Sequence, residues 1–130
     1  MATHTGPYPL EGVRMPTWLL RFDKHGACTS PATRAGLLHT LRDTPPSDLI
    51  FFSHGWNNDF DEAADLYARF LRHFEAHTAA NPVVRPNGAP FAPLFVGVVW
   101  PSIWLSFDSG PQIAAAAEPP SVDSAVVQAL

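Results

Sequence analysis

Apolar residues follow one another along this chain with two different periods. Three short stretches are nearly continuous in apolar or strand-forming residues: Thr17 to Asp23, Leu49 to Phe52 and Leu94 to Trp100. Unbroken runs of this length suit strands of a parallel sheet covered on both faces, and Leu49 to Phe52 is read as such a strand. Between them the spacing is helical. Ala35, Leu37, Leu38 and Leu41 follow Thr29-Ser30-Pro31, where a hydroxyl can accept a free N–H and proline at the first helical position loses no bond. The pattern predicts a helix to about Asp43, ended by Thr44-Pro45-Pro46-Ser47. Phe60, Ala63, Ala64, Tyr67, Phe70, Leu71 and Phe74 recur at i, i+3, i+4 and i+7, the core-facing stripe of a longer helix. Asn58 or Asp59 is its expected cap, and with Asp59 in that role Glu62 falls at the capping-box position.

Strand, helix, strand, helix, strand in this order predicts an α/β fold with a mostly parallel sheet, a partial three-layer sandwich whose last strand-helix-strand unit crosses over right-handed. Residues 1–16 read as an irregular lead-in, 17–107 as the domain and 108–130 as an irregular or lid-like tail. Asn81 to Pro93 is a Pro- and Gly-containing loop. A sheet of so few strands with two helices leaves an apolar edge and faces poorly covered, so the domain is expected to be incomplete.

The richest stretch is Asp48 to Asp59, where a strand stops at His54-Gly55 and hands over to a helix. Such turns at strand ends are where α/β folds place binding and catalytic groups. Gly55 is expected to bend the chain sharply at positive φ and to leave backbone N–H groups uncovered. A metal site of His54 with Asp59 and Asp61 is one reading of the same residues; the simpler reading places both aspartates at a helix start, where the macrodipole favours them. His73 and His77 are spaced i, i+4 without a third ligand nearby. Trp56, Trp100 and Trp104 read as packing residues, and His25 as part of a turn with Gly26.

Composition narrows the function classes. A chain of 130 residues that is 46% hydrophobic and 15% charged has room for one globular domain. Its net charge is -4, and its eight Lys and Arg residues form no basic run, so neither nucleic acid nor an anionic membrane is an expected partner. Cys28 is the single cysteine, which excludes an internal disulfide and points to a reducing, cytoplasmic setting. No apolar run reaches the roughly 20 residues that span a bilayer, and the first residues lack the pattern of an export signal. The sequence carries no cofactor motif, and no cofactor is expected.

Phe51-Phe52-Ser53-His54-Gly55-Trp56-Asn57-Asn58 before a helix, followed by a strand ending Val99-Trp100-Pro101-Ser102, resembles the N-terminal part of α/β-hydrolase superfamily proteins. The likeness is to a bacterial serine hydrolase-like group with a His-Gly-aromatic-Asn turn and a later Trp-Pro-Ser, and it covers about residues 17 to 107. In that superfamily the His-Gly turn forms part of an oxyanion hole, with backbone N–H groups aimed at charge developing on a carbonyl oxygen. The resemblance implies that His54 and Gly55 shape the turn, that the N–H of Trp56 or Asn57 is the donor, and that the Asn57 side chain adds a contact. It also implies a small-molecule ester, thioester or amide as the substrate of a complete parent. The departure is large, because no Gly-x-Ser-x-Gly elbow is present and the last histidine is His77. A triad in the superfamily's order cannot be assembled. The expectation is therefore an N-terminal fragment, inactive alone. The alternative is a non-catalytic module that binds a partner chain through its exposed sheet edge, that chain being a separately encoded hydrolase half or another protein.

Overall fold

The structure is a computed structural model that describes residues 6–56, 58–102, 105–106 and 110–111. The elements in chain order are β1 (Thr17–Arg21), α1 (Pro31–Asp43), β2 (Leu49–Ser53), α2 (Phe60–Ala80), β3 (Leu94–Val99), and a short antiparallel pair of β4 (Leu105–Ser106) and β5 (Gly110–Pro111). β1, β2 and β3 form a parallel sheet in the order β1-β3-β2, with Leu19 and Phe52 both opposite Gly97. Over the described residues the protein is thus an α/β chain with a small parallel sheet and two α-helices.

β1 and β3 are covered on both faces, by different helices. Alternation along the strands sends Leu19, Phe95 and Val99 into a cluster with Ala63, Tyr67, Ala68 and Leu71 of α2. Trp18, Leu20, Leu94 and Val96 point the other way, onto Leu37 and Leu41 of α1. The lead-in adds Leu10 to the α2 side. Gly97 is where α2 comes closest. A Cβ there would lie 2.7 Å from the Tyr67 ring and 2.8 Å from Leu19, so only glycine lets the ring settle onto the sheet.

One expectation fails at β2, and others fail at α1. Leu49 to Phe52 is not doubly covered, because β3 rather than β2 takes the central position. Leu49 is 46% exposed and Phe51 60% exposed. A continuous apolar run does not distinguish a central strand from an edge strand whose outer face has no helix above it. In α1, Leu38 is 51% exposed while Thr33 and Leu37 are buried, so the buried stripe is narrower than the spacing suggested. Ser30 is the N-cap of α1, yet its hydroxyl bonds no helical N–H and accepts from Arg21 N–H at 2.9 Å.

The two edges of the sheet differ. On β1, Tyr8 N–H donates to Thr17 C=O, Thr29 N–H donates to Arg21 C=O, and Ser30 takes the Arg21 N–H. The chain itself closes that edge. On β2, Leu94 N–H donates to Asp48 C=O, and strict alternation then turns the N–H and C=O of Leu49, Phe51 and Ser53 away from β3. None of these outward groups has a partner among the described residues.

Candidate functional site

β2 and β3 end side by side, and the two motifs singled out in the sequence meet there. His54, directly after β2, is 4% exposed. Its Nε2 accepts the backbone N–H of Trp100 at 3.0 Å, and its carbonyl accepts the Trp100 indole N–H at 3.2 Å. The two rings stack with centroids 5.3 Å apart and planes 8° from parallel. Because Nε2 accepts, Nδ1 carries the proton, and Nδ1 lies 2.9 Å from the Gly55 carbonyl, to which it donates. Further along, the buried Ser102 hydroxyl accepts Asn58 N–H and donates to Asn58 C=O, both at 3.0 Å. The turn from His54 to Asn58 is therefore pinned at each end by the segment Trp100-Pro101-Ser102.

Tyr67 supports the turn from below. Its ring is fully buried against Phe52 and Phe95. Its hydroxyl accepts His54 N–H at 2.7 Å and donates to Val98 C=O. In a continuing ladder those two main-chain groups would meet directly; the hydroxyl takes the place of that rung and parts the strand ends. Burial pushes the phenol up to about 12, against the opposing effect of the His54 N–H. Arg21, at the end of β1, lays its guanidinium 4.0 Å from the centre of the Phe60 ring and completes the layer beneath α2's first turn. Neither Tyr67 nor Arg21 stood out in the sequence beyond a helical stripe and a strand end.

The N-terminus of α2 forms as the spacing predicted. Asp59 accepts Glu62 N–H at 2.8 Å, and Glu62 returns a bond to Asp59 N–H at 2.9 Å. Asp59 is thus occupied as a cap, and both His54 nitrogens are occupied, Nε2 by Trp100 N–H and Nδ1 by Gly55 C=O. The metal reading loses two of its three ligands to these bonds, and no cluster of three His, Cys, Asp or Glu suited to a metal occurs among the described residues.

Neither a family model, nor a curated protein, nor a solved structure matches this chain. The site is read from its own geometry.

Of the four turn residues singled out, His54 is buried whereas Gly55 and Trp56 are exposed at the mouth of the turn; Asn57 lies outside the described residues. Gly55 corrects an expectation. It has no positive φ, and an added Cβ would find open space. The bend is made by hydrogen bonds to His54 and Asn58 rather than by glycine's conformational freedom. Of the serines that follow the turn, Ser102 is buried and doubly bonded and Ser106 belongs to β4, while Ser109, Ser121 and Ser124 lie outside the described residues, as does Trp104. No helix among the described residues is long and apolar enough to cross a membrane. A groove of about 460 Å³ lies at the other end of the sheet, between Met15, Phe74, Pro82 and Phe91. It touches none of the turn residues.

Proposed function

We propose that this chain is the oxyanion-turn half of an α/β-hydrolase-like unit, lacking the nucleophile, whose complete parent acts on an ester, thioester or amide. The observation that carries the reading is positional. The turn at His54-Gly55-Trp56 stands at the C-terminal end of an edge strand whose outward groups have no partner among the described residues, directly before a capped helix. A further parallel strand added to β2 would end beside this turn, the place a nucleophile must occupy for backbone N–H groups to stabilise the oxyanion it creates. The buried Ser102 is a clamp in this reading, not the attacking group. The decisive experiment is to translate the DNA beyond codon 130 in all three frames. A Gly-x-Ser-x-Gly followed by an acid and a histidine is expected, and co-expressing that segment with this chain should yield a serine labelled by a fluorophosphonate. A downstream region without such an elbow removes the reading.

One observation favours a second reading, a non-catalytic module that binds an extended partner segment along β2. The chain closes the edge of β1 with its own hydrogen bonds, whereas β2, which carries no charge or proline, is left open among the described residues. A folded, monodisperse chain without any downstream elbow supports this module; a chain that aggregates unless the downstream segment is present supports the hydrolase half.

A further inference from the structure

We infer that the neutral, Nδ1-protonated imidazole of His54 is the latch that positions the turn, and that protonating it releases the turn from the end of β3. The inference rests on the hydrogen bonds around His54 and holds whether or not the turn serves as an oxyanion hole. The imidazole has two jobs that only one protonation state performs together. Its Nε2 lone pair must face the Trp100 backbone N–H, 3.0 Å away, while Nδ1–H faces the Gly55 carbonyl at 2.9 Å. An added proton on Nε2 sets N–H against N–H at that separation. Trp100 N–H then has no acceptor, and the ring must leave its place.

Among the described residues, the surroundings offer the imidazolium no compensating partner. From α2 the titratable group that meets it is Tyr67, whose phenol keeps its proton up to about 12. From the end of β3 the contact is Trp100, which does not titrate. Ser53, on the strand side, donates to the His54 carbonyl at 3.3 Å rather than to the ring. No carboxylate is in contact with the ring among the described residues. Once the latch opens, the Trp100 indole N–H bond to the His54 carbonyl is strained with it, whereas the Ser102 clamp on Asn58 is independent of charge. The turn therefore opens at its Gly55-Trp56 end and stays anchored at Asn58. His54 acts here as a positioning residue for the main chain on either side of it.

The test is a titration of the intact ¹⁵N-labelled chain from about pH 8 to about pH 5, the range in which imidazoles change charge. At the upper end the His54 ring nitrogens should report the Nδ1–H tautomer. As the ring protonates, the Trp100 amide, the Trp100 indole and the Gly55 amide should shift with its midpoint, while the Leu94 to Val96 amides stay in place. His54→Gln should abolish that shared midpoint; if this variant does not fold, the wild-type titration decides alone. An Nε2–H tautomer at pH 8 overturns the inference. So does a Trp100 amide that does not move while the His54 ring protonates, or a ring that remains neutral down to acid unfolding.

Discussion

The Tyr67 hydroxyl accepts the backbone N–H of His54 at 2.7 Å and donates its own O–H to Val98 C=O, so one side-chain oxygen replaces a rung between two parallel strands. Tyr67→Phe keeps the ring and leaves a buried N–H and a carbonyl without that link. The loss should be about 1–3 kcal/mol of unfolding free energy, the usual cost of stranding buried polar groups. Urea denaturation measures it. A midpoint equal to the wild type would mean that His54 and Val98 close directly onto one another.

The same phenol gives the fold an alkaline limit. In the unfolded chain a tyrosine ionises at about 10, whereas burial raises Tyr67 to about 12. Between these values the unfolded state releases its proton and the folded state retains it. Stability should be unaffected below pH 10, fall as pH rises towards 12, and level off beyond. Urea midpoints across this range should show the slope in the wild type, and Tyr67→Phe should lack that part of it.

Two glycines should respond in opposite ways to alanine. Gly97→Ala drives a methyl into the Tyr67 ring and Leu19 at 2.7–2.8 Å and should destabilise by about 1–3 kcal/mol, the range for overpacking. Gly55→Ala meets open space at ordinary φ and should change stability by less than about 0.5 kcal/mol. Thermal midpoints of the two variants test the pair, and a destabilised Gly55→Ala would contradict the account of the turn.

Ser102→Ala should loosen the turn without removing any activity. Its hydroxyl holds both the N–H and the C=O of Asn58, so hydrogen exchange at Asn58 should accelerate while exchange in β3 is unchanged. The purified chain should hydrolyse p-nitrophenyl esters no faster than buffer, and a fluorophosphonate should label no serine. Stoichiometric labelling at Ser102 would show that its buried, doubly bonded position is not maintained in solution.

At the open edge, Phe51→Lys should reduce self-association with little change in stability, since Phe51 is largely exposed and contributes little to the core. Light scattering against concentration, together with a urea midpoint, separates the two effects. A large loss of stability would show Phe51 to be packed after all.

The local parts of the fold were legible because local chemistry decides them. Pro31 begins α1, Asp59 and Glu62 close the capping box of α2, and Leu94 to Val99 forms a strand. What was not legible is set by residues distant in sequence. Whether Leu49 to Phe52 is central or at an edge depends on where β3 inserts, and periodicity within a five-residue run carries no information about that. Gly97, inside an apolar strand, gave no sign that it makes room for Tyr67. At the turn, the bend attributed to glycine's freedom at Gly55 belongs to the hydrogen bonds among His54, Trp100, Asn58 and Ser102. The paired appearance of His-Gly-Trp-Asn and Trp-Pro-Ser was the available signal, since the two segments are hydrogen-bond partners.

That partnership also sets an order of events in folding. The groups that hold the turn are 46 residues away at Trp100 and 44 residues away at Ser102, so closing the turn means closing a long loop first. During synthesis from the N-terminus, β2 and α2 leave the ribosome with the turn unheld, and the turn acquires its shape only when the end of β3 arrives. The site is thus among the last parts of the sheet to form, and its geometry reports that the whole of β3 is in register.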